Sequence, residues 1–229
     1  MQIFLDSADV KELTHWLAEG VVDGVTTNPS ILLKDGASDL ETVARRLAAL
    51  LGHRPLSVEV TATEPEQMIE QGRLFARWAS NIVVKIPIVT QDGDSCLKAI
   101  YALSRAGIPV NATAILSFNQ AVLAAKAGAC YVSVFAGRVA DEGHDPSQLI
   151  AGLQQWLRRW ESQARVLVGS IRSVMDVQRA AEAGADIITI PPSMLPKMVD
   201  HKYSRETVRQ FNQDAARACT AATAARAGQ

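Results

Sequence analysis

With 229 residues, 48% of them hydrophobic and 21% charged, the chain holds enough apolar material for the core of one soluble globular domain, or at most two small ones. Its net charge of −1 argues against nucleic acid or an anionic membrane as a main partner. No uninterrupted apolar run is long enough to span a bilayer, and the start, MQIFLDSADV, carries Asp6 and Asp9 where a signal peptide would be basic.

In chain order, β-type runs fall at 2–6, 24–28, 56–62, 82–88, 109–115, 131–136, 165–170 and 186–191. Helical patterns lie between them, among others at 39–51, 64–79, 94–106 and 146–161. The stretches AEGVVDGV, RAGIPV, KAGACYV and EAGADII repeat one device: a helix end, a glycine stop, then a strand. In TTNPS, Asn28-Pro29 marks a boundary, with Pro29 near a first helical position. Strand starts recur about every 20–35 residues, the size of one β/α unit. Eight such units predict an α/β fold, a single (β/α)8 barrel over 1–229, a fold that typically takes about 250 residues. An open doubly wound sheet is the alternative. After the eighth strand come a turn and a helix near 204–226 with a stripe of Val208, Phe211, Ala215, Ala218 or Cys219, and Ala222. That helix would pack on its own barrel or dock on a neighbouring subunit.

The three cysteines, Cys96, Cys130 and Cys219, are scattered and odd in number, which suits a reducing cytoplasm without disulfides. The four histidines, His15, His53, His144 and His201, are also dispersed. Neither a metal-ligand spacing nor a P-loop or GxGxxG occurs. The expectation is a cytoplasmic protein that uses no metal and no cofactor.

Strand alternation sorts the side chains. In LSVEVTA, Val58 and Val60 share one face, and Ser57, Glu59 and Thr61 the other. In VNATAI, Asn111 and Thr113 oppose Val110, Ala112 and Ala114. In YVSVFAGR, Ser133 and Phe135 oppose Val132, Val134 and Ala136. The outer face of a barrel meets helices and must be apolar, so the polar set points inward. By the same parity Asp6, Asn28, Lys85 and Ser170 can point inward too. Barrel interiors are usually filled by branched apolar residues. Buried polar groups left unpaired cost a few kcal/mol each, so such a set fits a site near the strands' carboxyl ends better than a core.

NIVVKIPI, 81–88, places Lys85 inside an apolar strand. A lysine in a confined site can lose its proton, attack a carbonyl and form a Schiff base. Burial would favour the neutral amine, while nearby Asp6 and Glu59 would favour the ammonium, and the sequence leaves that balance open. The protonated iminium is an electron sink that permits cleavage or formation of the adjacent C–C bond. Arg138 and Arg172 follow strands six and seven, and Ser170 precedes a helix start. Two guanidinium forks and helix N–H groups suit a phosphate dianion, and barrel phosphate sites commonly lie at these late loops. Glu142 and His144, in DEGHDP, read as a solvated loop or as the lining of an acceptor pocket.

FLDSAD (4–9), GVTTNPSIL (24–32), VVKIP (83–87), NATAILS (111–117), SVFAGR (133–138) and GSIRS (169–173) together resemble the transaldolase family, in the compact subgroup shared with fructose-6-phosphate aldolases. The resemblance runs from strand one to strand eight. It implies that Lys85 is the Schiff-base lysine and Asp6 the acid/base that takes a hydroxyl proton during C–C cleavage. It implies that Glu59 and Thr113 hold a catalytic water, and that Asn28 and Asn111 orient the donor hydroxyls, with Thr26, Ser133 and Phe135 also in the substrate site. Arg138, Ser170 and Arg172 match the phosphate site. The aldolase subgroup carries glutamine at the Glu59 position and a tyrosine at the Phe135 position that helps protonate the enamine. Glu59 and Phe135 are of the transaldolase type, which implies transfer of a dihydroxyacetone unit between sugar phosphates in the pentose phosphate pathway. A lyase that frees dihydroxyacetone, an enzyme for another anionic sugar such as a sulfonated one, and a non-catalytic sugar-phosphate-binding barrel are the rivals. The resemblance also implies a homo-oligomer, a pentamer or decamer, with the last helix crossing to a neighbour.

Overall fold

The computed structural model describes residues 1–34 and 39–227; residues 228 and 229, the end of the expected domain, lie outside them. The chain divides into two compact units, Met1–Pro192 and one that begins at Ser193. In the first unit the strands are β1 (Gln2–Asp6), β2 (Gly24–Thr26), β3 (Leu56–Glu59), β4 (Ile82–Pro87), β5 (Val110–Ile115), β6 (Tyr131–Phe135), β7 (Arg165–Gly169) and β8 (Ile187–Ile190). They are parallel, pair in sequence order and close into a barrel, β8 returning to β1. The fold is therefore a (β/α)8 barrel, as the spacing predicts.

The helices of this unit are α1 (Val10–Ala18), α2 (Pro29–Lys34), α3 (Leu40–Leu51), α4 (Pro65–Phe75), α5 (Leu97–Arg105), α6 (Phe118–Lys126), α7 (Ala136–Asp141), α8 (Pro146–Arg159) and α9 (Val174–Glu182). Local signals set their ends. Asp9 and Asp39 accept hydrogen bonds from the first-turn amides of α1 and α3, and Ser117 and Ser173 form capping boxes with Gln120 and Asp176. Where a helix turns into the next strand, a glycine takes the left-handed conformation, as at Gly128 (φ 96°) and Gly184 (φ 89°). The second unit contains α10 (Leu195–Val199) and α11 (Lys202–Ala227). Along α11, Lys202 pairs with Glu206 and Asp214 with Arg217. Among the described residues no helix is long and apolar enough to cross a membrane.

Outward strand positions such as Leu5, Val25, Val84, Ile86, Val132 and Ile188 are fully buried. Each such side chain contributes about 1.5–3 kcal/mol by leaving water. Inside, the amino-terminal end of the barrel is plugged by Phe4, Leu167 and Ile187, with Tyr131 edge-on to Phe4 at 6.1 Å. Gly24 makes room for this plug, because a Cβ there would lie 2.7 Å from the Phe4 ring. The polar interior positions are thereby left to the carboxyl end.

Three local departures from the sequence expectation matter. β2 ends at Thr26 and not at Asn28, because Asn28 Oδ1 accepts from Ile31 N (3.0 Å) and starts α2 at Pro29. β3 ends at Glu59, and Thr61, expected in the lumen, is exposed; its amide and hydroxyl are both bonded to Gln71. In β5 the register slips between Ala112 and Ile115, a bulge that puts Ala114 at φ 58°. The extra residue returns Ile115, which simple alternation turns inward, to the apolar outer face beside Val134.

Candidate active site

Lys85 is 5% exposed and faces the barrel interior. Its Nζ lies 2.9 Å from Glu59 Oε2 and donates to the Thr27 carbonyl at 3.1 Å. β3 supplies Glu59 directly opposite Lys85 in register, and β5 supplies Asn111 on the other side. Thr27 is fixed in turn by its own hydroxyl, which donates to the Ser57 carbonyl at 2.9 Å.

A cavity of about 190 Å³ opens over the lysine at the carboxyl ends of the strands. Asp6, Thr26 and Asn28 form one wall, Ser133, Phe135 and Arg138 another, and Ser170 and Thr189 close it. Asp6 accepts from Thr26 Oγ1 at 2.7 Å, and Thr26 also meets Thr189 Oγ1 at 2.6 Å. Burial pushes the Asp6 carboxyl above its ordinary value; the Thr26 hydrogen bond and the Lys85 ammonium pull it back, and the Glu59 carboxylate adds to the rise.

Glu59, Asn111 and Thr113 are not among the residues that line the cavity. Glu59 reaches the site through Lys85. Asn111 is fully buried behind Ser133, accepting from its hydroxyl at 2.6 Å and donating to Ser57 Oγ at 3.1 Å, so its amide holds the wall in place. Thr113 is 1% exposed, and its hydroxyl has no hydrogen-bond partner among the described residues. An unpaired buried hydroxyl costs about 1–3 kcal/mol, which a group held there would recover. Asn28 lines the cavity while capping α2.

Arg138 and Arg172 line different cavities. Arg138 lines the lysine cavity. Arg172 forms a forked ion pair with Asp141 of α7, both contacts 2.5 Å, and holds that carboxyl below the ordinary carboxylate range. It borders a different and larger cavity, about 470 Å³, outside the strands between α7, α8 and α9. That larger space holds neither Lys85 nor Asp6. His144 borders a third cavity beside Leu116 and Phe118, and Glu142 is exposed at the end of α7; neither meets the lysine.

Two residues without an expected role bear on the site: Thr189 lines the cavity, and Gly137, which borders the larger space, contacts Ser170 of its wall. Thr189 was a polar residue in the apolar run IITI, a signal of the same kind as Lys85. Gly137 gave no signal. Its amide donates to the Ser170 carbonyl at 3.1 Å, and a Cβ on it would fall 2.4 Å from that oxygen and 2.8 Å from Arg172 Nε. Ser170 itself sits at φ 57°, a left-handed conformation that costs a non-glycine residue about 1–3 kcal/mol.

Comparison with known proteins adds relatives along nearly the whole chain. The family model described as transaldolase/fructose-6-phosphate aldolase matches residues 3–228. A probable transaldolase of Lactiplantibacillus plantarum is 43% identical over 214 residues, covering 93% of this chain and 96% of its own. A probable transaldolase of Dehalococcoides mccartyi is 41% identical, covering 93% and 97%. Among solved structures, a 2,3-dimethylmalate lyase superposes with a TM-score of 0.60 at 17% identity, over 93% of this chain and 82% of the other. A putative phosphonomutase from Burkholderia cenocepacia gives 0.58 at 18%, over 93% of both chains. At such identities these two share the barrel and nothing finer.

Proposed function

The chain belongs to the transaldolase/fructose-6-phosphate aldolase family, and from that premise we propose that it is a class I transaldolase in which Lys85 carries the donor as a Schiff base. The donor would be a ketose phosphate, fructose 6-phosphate or sedoheptulose 7-phosphate, and the acceptor an aldose phosphate. The family and the names of the relatives support a transaldolase-type enzyme. The observation that carries the finer reading is Lys85 itself: an amine 5% exposed, on the wall of a polar cavity, with a carboxylate 2.9 Å away.

The ammonium of Lys85 must give up a proton before it attacks the ketose carbonyl, and Glu59 is in reach to take it. Addition gives a carbinolamine. Loss of water from it is assisted by Glu59 and by a water held at the Thr113 hydroxyl, whose buried oxygen has a hydrogen bond to offer. The resulting iminium accepts the electron pair of the C–C bond next to the carbinol while Asp6 removes the proton of that carbinol's hydroxyl. An aldose phosphate leaves, and a dihydroxyacetone enamine stays on Lys85. No metal is needed for this step, because the iminium is the electron sink.

What happens to the enamine decides transfer or cleavage. Phe135 borders the cavity and has no proton to give, so the enamine waits for an aldehyde. Addition to that aldehyde reverses the steps. Arg138 and Ser170 would hold the phosphate at the cavity mouth; Arg172 would join them only by leaving Asp141. The proposal includes a homo-oligomer, a pentamer or decamer, which the family resemblance supports. A coupled assay of fructose 6-phosphate with and without erythrose 4-phosphate tests the reading. Turnover that requires the acceptor is expected; equal release of free dihydroxyacetone without it would make the protein a lyase.

A further inference from the structure

Thr26 Oγ1 has two polar neighbours, Asp6 Oδ1 at 2.7 Å and Thr189 Oγ1 at 2.6 Å. The three residues come from adjoining strands at the seam of the barrel, where β1 pairs with β2 on one side and β8 on the other. The two threonines are 2% and 7% exposed, and all three side chains border the cavity over Lys85. The Thr189 methyl points toward Gly169, where an added Cβ would lie 3.4 Å from it.

A threonine hydroxyl has one hydrogen and an ionised carboxylate has none. Thr26 must therefore spend its hydrogen on Asp6. The contact between the threonines then has one direction left, with Thr189 donating to Thr26. The chain runs from Thr189 to Thr26 to Asp6, and each bond polarises the next toward the carboxylate. It ties down Oδ1 and leaves Oδ2 without a hydrogen-bond partner among the described residues.

We propose that Thr189 is a positioning residue of the reaction: it keeps Thr26 a donor to Asp6 Oδ1, so that Oδ2 is the oxygen that takes the substrate proton. This rests on the reading of Asp6 as the base. In that step the hydroxyl O–H bond breaks and its proton goes to Oδ2. The oxygen's electron pair forms the aldehyde C=O, and the C–C pair moves into the iminium to give the neutral enamine. Oδ1 stays an acceptor for Thr26 throughout, so the two threonines need not reorient between cleavage and addition. The same bond is the largest of the influences that oppose the effect of burial on Asp6, so losing the outer donor weakens it.

The test is the pH profile of kcat/KM for transfer from fructose 6-phosphate to erythrose 4-phosphate, measured on the full chain and on Thr189→Val, Thr189→Ala and Thr189→Ser. Thermal melts verify folding, and borohydride trapping follows the Lys85 adduct in each. Thr189→Val keeps the shape and loses the donor; its acid limb is expected to move up by about half a pH unit, a roughly threefold loss on that side. Thr189→Ala is expected to move it the same way, and Thr189→Ser to follow the parent. An unmoved limb in both the valine and alanine variants overturns the proposal, as does a serine variant that moves as far as they do, since that would be packing alone. Trapping separates the two levels: an intact adduct with an unmoved limb removes the role of Thr189 only, whereas a parent chain that gives no adduct removes the Schiff-base reading and this inference with it.

Discussion

Glu59 Oε2 lies 2.9 Å from Lys85 Nζ because the two residues face each other in register across β3 and β4. The ion pair is enclosed, with side-chain exposures of 20% and 6%, yet it borders a cavity and is not sealed in the core. Replacing a buried ion pair with apolar residues is often neutral or stabilising, so stability alone is a poor reason for such a pair. Its position at the carboxyl end of a barrel, over a packed apolar plug of Phe4, Leu167 and Ile187, is a reason grounded in chemistry.

Asp6→Asn is expected to separate stability from activity. Burial raises the Asp6 carboxyl above its ordinary value of 3.8, so the folded chain holds the proton more tightly than the unfolded one. The cost of burying the carboxylate is absent below that ordinary value and fully present once pH exceeds the raised one. Asparagine removes the charge and still accepts from Thr26. Thermal melts should show the variant above the parent at pH 7, with the gap narrowing toward pH 4, while kcat falls about 100- to 10,000-fold for loss of the base. A variant less stable at both pH values would contradict the burial argument.

Phe135→Tyr places a phenol on the cavity wall and is expected to release free dihydroxyacetone from fructose 6-phosphate without an acceptor. Chromatographic comparison of the products checks it. An unchanged product ratio would mean that the enamine's fate is set elsewhere.

How far the sequence led can be judged residue by residue. Lys85 stood out because an amine in an apolar strand has few structural reasons to be there, and parity turned Asp6, Glu59 and Ser133 to the same side. Thr189 obeys the same rule but is one hydroxyl in a four-residue strand, a weak signal. Parity failed where the backbone departs from plain alternation, at the bulge around Ala114 and after Glu59, because neither a bulge nor a strand end is written in side-chain polarity. The ion pair of Arg172 with Asp141 was invisible for a different reason: its two residues are 31 apart along the chain.

That ion pair gives an unequal pair of expectations. Arg138→Ala should raise KM for phosphorylated donors about tenfold or more, the worth of a charge-assisted contact, and leave unphosphorylated donors nearly unchanged. Arg172→Ala should have the smaller effect, since Asp141 already occupies its guanidinium. Steady-state kinetics with dihydroxyacetone-yielding donors of both kinds decides; equal effects on both donor types at Arg138 would place the phosphate elsewhere.

Gly137→Ala tests the contact between α7 and the loop after β7. The new methyl would stand 2.4 Å from the Ser170 carbonyl oxygen, a backbone atom that cannot swing aside. Overpacking of this kind typically costs about 1–3 kcal/mol, which denaturant unfolding would register. Stability equal to the parent would mean the Ser170 turn is not fixed by this contact.

The most direct measurement is covalent. Incubation with fructose 6-phosphate and borohydride, followed by peptide mass spectrometry, should attach a reduced three-carbon unit to Lys85, and Lys85→Met should abolish it. An adduct on a different lysine, or none while the chain turns over donor and acceptor, would contradict the assignment of Lys85 as the residue that carries the substrate.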